Sequence, residues 1–118
     1  MFKIEGDTIY ITRGDIATIE LSIDDYTFQV NDTIEFRVYN KKALDKLPVL
    51  EKEITVETAG ETVDIELTHQ DTSIGNITNK PVEYWYEIEL NDNQTVVGYD
   101  EDGAKLLILM PEGVERNE

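Results

Sequence analysis

"PVEYWYEIEL", residues 81 to 90, alternates for almost its whole length: Val82, Tyr84, Tyr86, Ile88 and Leu90 fall on one side, and Glu83, Trp85, Glu87 and Glu89 on the other. A period of two is that of an extended strand with one face buried. The aromatic and β-branched residues favour the same conformation.

The rule extends outward along the chain. "IATIELSI" puts Ala17, Ile19, Leu21 and Ile23 on one face; "TIYIT" does so with Ile9 and Ile11, "TIEFRVY" with Ile34, Phe36 and Val38, "KEITVE" with Ile54 and Val56, and "TVDIEL" with Val63, Ile65 and Leu67. Residues that tolerate positive φ or bond their own backbone stand between these runs: Glu5-Gly6-Asp7, Arg13-Gly14-Asp15, Asp24-Asp25, Asn31-Asp32, Ala59-Gly60, Asn91-Asp92-Asn93 and Asp102-Gly103. Two short segments are candidates for single-turn helices: "KKALDKL", ended by Pro48, and "THQDTSIG", where Thr68 or Asp71 can cap and Gly75 can terminate. The expected fold is all-β, an antiparallel β-sandwich, immunoglobulin-like or jelly-roll-like, of about eight short strands with one or two single-turn helices. Alternation alone leaves a closed barrel open.

A chain of 118 residues fits one domain, here expected over residues 1–110, with 111–118, "PEGVERNE", as a polar C-terminal tail. No apolar run approaches the roughly 20 residues that cross a bilayer, and "MFKIEGDTIYITRG" lacks the layout of a signal peptide. The three Asn-x-Thr sequons at Asn31, Asn76 and Asn93 then have no secretory context. With 26 acidic residues against 10 basic ones the formal net charge is -16. Such a surface repels phosphate backbones and anionic membranes, so neither nucleic acid nor membrane is an expected partner. The densest basic group, Lys41, Lys42 and Lys46, lies beside Asp45 and near Glu51 and forms no binding stripe.

Little in the chain points to catalysis. There is no cysteine, which removes thiolate nucleophiles and disulfides, and His69 is the only histidine, so no multi-histidine metal site or Ser-His-Asp arrangement is expected. The carboxylates of "PVEYWYEIEL" alternate as a solvated face does, not as a paired acid and base in a cleft. Calcium is the better candidate among ions, with Asn91, Asp92 and Asn93 in one loop and Asp100, Glu101 and Asp102 in another. These loops belong at opposite ends of a strand from Thr95 to Tyr99, which makes them two polar turns. No cofactor, metal or catalytic residue is expected, and the chain is read as a non-enzyme. "YITRGDIAT" contains Arg13-Gly14-Asp15, an adhesion signal on some extracellular proteins; here strands begin on either side of it, and it reads as a tight turn.

Two features point to a partner surface. Trp85 falls on the acidic face of its strand, where an indole implies cover from a loop or another chain. In "AKLLILM", Leu106, Ile108 and Met110 alternate with Leu107 and Leu109, so both faces are apolar. Such a strand is either covered on both sides or docks one face onto another subunit. Trp85 and Leu106 to Met110 are the candidate interaction surface. The alternative is a small carbohydrate- or ligand-binding sandwich stacking its ligand on Trp85, Tyr84, Tyr86 or Tyr99.

The order "YITRGDIATIELSI", "DTIEFRVYNKK", "VDIELTHQDTSIG", "YWYEIEL" and "VVGYDEDGAKLLIL" resembles the N-terminal domain family of the upper baseplate protein of tailed phages infecting Gram-positive bacteria, and related small prophage-encoded proteins. The resemblance covers about residues 2 to 110, with a longer loop at "NITNKPVE". It implies a β-sandwich acting as a structural or adaptor module in a virion tail or baseplate, or in the bacterial cytoplasm before assembly. The implied partners are other tail or baseplate proteins or a homo-oligomer. It implies no catalytic residue and no receptor-binding site.

Overall fold

The computed structural model describes residues 1–40, 47–98, 100, 101 and 103–112. Most of "KKALDKL", with Lys41, Lys42 and Lys46, lies outside that set, as do Tyr99, Asp102 and residues 113–118 of the expected tail. Nine strands follow in order: β1 (Phe2–Glu5), β2 (Thr8–Thr12), β3 (Ala17–Leu21), β4 (Thr33–Tyr39), β5 (Leu50–Thr55), β6 (Val63–Leu67), β7 (Val82–Leu90), β8 (Gln94–Val97) and β9 (Lys105–Met110). Seven form one sheet in the order β1-β2-β9-β7-β4-β5, with β8 also on β7, and β3 pairs with β6 as a separate two-stranded sheet. The two layers make the expected sandwich. The larger sheet ends at β1 and β5 among the described residues, so it is not a closed barrel.

Alternation decides which residues enter the core. Ile9, Ile11, Ile34, Phe36, Val38, Tyr84, Tyr86, Ile88, Leu90, Leu107 and Leu109 line the inner face of the large sheet, against Ile19, Leu21, Ile65 and Leu67 of the small one. Phe28 fills the space between them; it is fully buried, is held by paired backbone bonds with Gly60, and meets the Tyr26 ring edge-on at 5.5 Å. Each such side chain removes on the order of 1.5–3 kcal/mol worth of apolar surface from water.

Two expectations need correction. The sheet is mixed rather than wholly antiparallel, because β2 and β9 pair in parallel, Ile9 beside Leu107 through Thr12 beside Met110. Hairpin turns force antiparallel neighbours, but β2 and β9 are far apart in sequence and no hairpin constrains them. The second departure is at residues 68 to 75, where a hydrogen-bonded turn stands in place of a single-turn helix. Its capping pair is formed: the Thr68 N–H donates to Asp71 Oδ2 (2.8 Å) and the Asp71 N–H to Thr68 Oγ1 (3.2 Å). The far end of the turn is tied to Arg13, which donates to the carbonyls of Ser73 (2.8 Å) and Gly75 (3.2 Å). Gly75 has φ +73°, and a Cβ there would run into the Tyr84 hydroxyl.

Arg13-Gly14-Asp15 is the turn that the flanking strands require. Gly14 has φ +86°, its N–H donates to the Thr72 carbonyl (3.1 Å), and the Asp15 N–H returns to Thr12 (3.0 Å). With its guanidinium engaged on the 73–75 loop, Arg13 is turned inward rather than displayed.

Candidate protein-interaction surface

The outward face of the large sheet is built by the residues skipped in the core. Register places Trp85 between Tyr39 of β4 and Leu106 of β9. Ile108 sits between Glu83 of β7 and Tyr10 of β2, and Met110 beside Thr12. Trp85, Leu106, Ile108, Met110 and Tyr10 are all half-buried and together form an apolar strip across three adjacent strands. Trp85 and the even-numbered residues of β9 therefore share one surface.

Leu107 and Leu109 do not belong to it. They are 3% and 4% exposed and point into the core, which removes them from the candidate surface. The two apolar faces of "AKLLILM" are separated by the pleat: one is core, the other is the outer strip.

Beside the strip lies an acidic block that single-strand alternation did not reveal. Arg37 of β4 faces Glu51 of β5 and Glu87 of β7, and Glu35 faces Glu53 and Glu89. Like charges opposite one another on a sheet repel, and Arg37 is what holds them together. Its guanidinium reaches Glu35 (2.8 Å), Glu51 (3.0 Å), Glu87 (3.4 Å) and, closest of all, Glu89. The Glu89 bond, working against partial burial, raises the Arg37 pKa above its ordinary value. Tyr39 donates its hydroxyl to Glu87 (2.9 Å); burial first, then that carboxylate, push the phenol up to about 12. The block keeps a surplus of negative charge next to an apolar strip. Cross-strand register, not sequence spacing, gathers these residues, and the signal available earlier was Arg37 as the lone cation among outward-facing glutamates.

The other candidates resolve into structure. His69 Nδ1–H donates to the Gly14 carbonyl (2.8 Å) in the turn cluster. Asn91 is taken up by the backbone N–H of Thr33 (2.8 Å) and by Asp32 (3.1 Å), while Asp100 receives the Lys105 ammonium (2.7 Å). Those two loops stand at opposite ends of β8, and among the described residues no group of three or more acidic or histidine side chains is arranged to hold a metal. Tyr84 and Tyr86 face the core, which removes them as stacking platforms. A hollow of about 440 Å³ beside β3 and β6, lined by Ile16, Ala17, Thr18, Glu66, Leu67 and Thr68, brings a single carboxylate. Among the described residues no helix is long and apolar enough to cross a membrane. No family model, curated protein or solved structure matches the chain.

Proposed function

We propose that the protein is a non-enzymatic structural or adaptor subunit of a phage or prophage tail or baseplate, and that it docks to another protein of that assembly through the outer face of its large sheet. The observation that carries the docking reading is the juxtaposition on that face of Trp85, Leu106, Ile108 and Met110 with the glutamates around Arg37. A tryptophan amid aliphatic side chains with a charged rim is the composition of an interface centre. The surplus of carboxylates selects a partner surface with its own apolar patch and a basic border, and it speeds encounter with such a surface. The tail or baseplate setting rests on the ordered resemblance of the strand and turn sequences.

The test is co-purification and calorimetric titration against the proteins encoded beside this one, comparing wild type with Trp85→Ala and Ile108→Asp. Tight binding by wild type that falls by roughly thirtyfold or more in Trp85→Ala supports the reading, since central interface tryptophans contribute about 2 kcal/mol or more. Undiminished binding by both variants, or a Trp85 fluorescence change on glycan titration without any protein partner, overturns it.

A further inference from the structure

We infer that the free edge of β1 is a self-association surface, on which a second copy of this chain adds its own β1 antiparallel to form one sheet across a two-fold axis. This surface is separate from the docking face and does not depend on it.

The Thr12 N–H donates to the Met1 carbonyl (2.9 Å), and paired residues in an antiparallel ladder alternate between bonded and non-bonded. Lys3 with Tyr10 and Glu5 with Thr8 are therefore the bonded pairs, and the N–H and C=O of Phe2 and Ile4 point away from β2. Among the described residues β1 has a strand on one side only, so those groups lie along an open edge.

Side chains supply the occupant. Antiparallel pairing centred on Ile4 sets Ile4 opposite its own copy, and it sets Lys3 opposite the copy's Glu5 twice over. Lys3 and Glu5 already share the outer side of β1, with their charges 3.6 Å apart. Phe2 and Ile4 lie on the inner side, in register with Ile11 and Ile9, yet remain 36% and 44% exposed and stand outside the core cluster. Edge pairing would place Ile4 beside its symmetry mate, with each Phe2 across from the copy's Gly6 on the same side of the joined edge.

The opposite edge makes the contrast. Pairing β5 with its copy about Lys52 would set Glu51 against Glu53, a repulsive arrangement of the kind that guards sheet edges. Long-range repulsion between two chains of charge -16 does not forbid the β1 contact. The acidic block on β4 stands four strands from β1, so in the dimer the two blocks are about 40 Å apart at ~4.8 Å per strand, several Debye lengths at physiological salt.

The experiment is sedimentation equilibrium of the full chain from micromolar to millimolar concentration, with Lys3→Glu, Glu5→Lys, the double variant and Trp85→Ala, each checked by circular dichroism. The expected result is a concentration-dependent dimer that each single reversal weakens by about tenfold or more and the double variant restores. Trp85→Ala leaves it unchanged. Amide exchange supplies a second readout: protection of the Ile4 N–H rises with dimer concentration. A strict monomer at millimolar concentration, a dimer indifferent to the reversals, a double variant without recovery, or a dimer lost in Trp85→Ala overturns the inference.

Discussion

Asp32 shows how one residue can fix three segments at once. Its Oδ2 accepts from the Gln29 N–H (2.9 Å) and the Tyr26 hydroxyl (2.5 Å), its Oδ1 accepts from Asn91 (3.1 Å), and its own carbonyl receives the Val56 N–H (2.8 Å). The Gln29 amide bond first, then those of Tyr26 and Asn91, hold the carboxyl below its ordinary value. A carboxyl depressed in the folded state contributes stability above the unfolded pKa near 4, and that contribution disappears as pH falls through the folded value. Asp32→Asn should therefore melt at a lower temperature than wild type at pH 7, with the difference shrinking steadily in acid. Paired thermal melts check this; a gap that stays constant with pH would mean that the charge plays no part. The sequence marked Asn31-Asp32 as a turn but could not name the partners, since Asn91 lies 59 positions away.

At the level of elements, β9 carries the sharpest lesson. Both faces of Lys105–Met110 are apolar, so composition could not say which side was inside. Pairing with Tyr84 and Ile9 orients Leu107 to the core, and pairing with Tyr10 and Glu83 orients Ile108 outward. Leu107→Ala should cost about 2–5 kcal/mol in urea unfolding. Ile108→Ala should cost under about 1 kcal/mol. Equal losses would contradict the register. Strand β1 was missed altogether by periodicity, because four residues give only two repeats; what defines it is the two-residue turn, with Gly6 at φ +60° in the position a type II′ hairpin reserves for glycine. Strand β7 was the easiest to find: nine alternating residues are enough to establish a period, and packing into the core keeps one face dry.

The whole molecule combines one small apolar core with a heavily acidic exterior. The sandwich was readable because the inward faces of β2, β4, β6 and β7 are cleanly alternating, whereas the mixed sheet order was not, since strand adjacency depends on contacts between distant segments. For the same reason the acidic block around Arg37 appeared only once β4, β5 and β7 were side by side. A net charge of -16 opposes compaction through self-repulsion, which salt screens. Thermal stability at pH 7 should rise with sodium chloride concentration, and the salt effect should fade as pH approaches the isoelectric point near 4.2. Calorimetry over a salt and pH grid tests this; an effect of equal size at both pH values would assign it to ion-specific hydration instead.

The parallel pairing of β2 with β9 also governs the response to tension. A load drawn from the start of β2 at Thr8 and the end of β9 at Met110 runs along adjacent strands pointing the same way. Their rungs are then strained together in shear rather than opened one after another like a zipper, and the joint acts as a mechanical clamp one strand in from the β1 edge of the sheet.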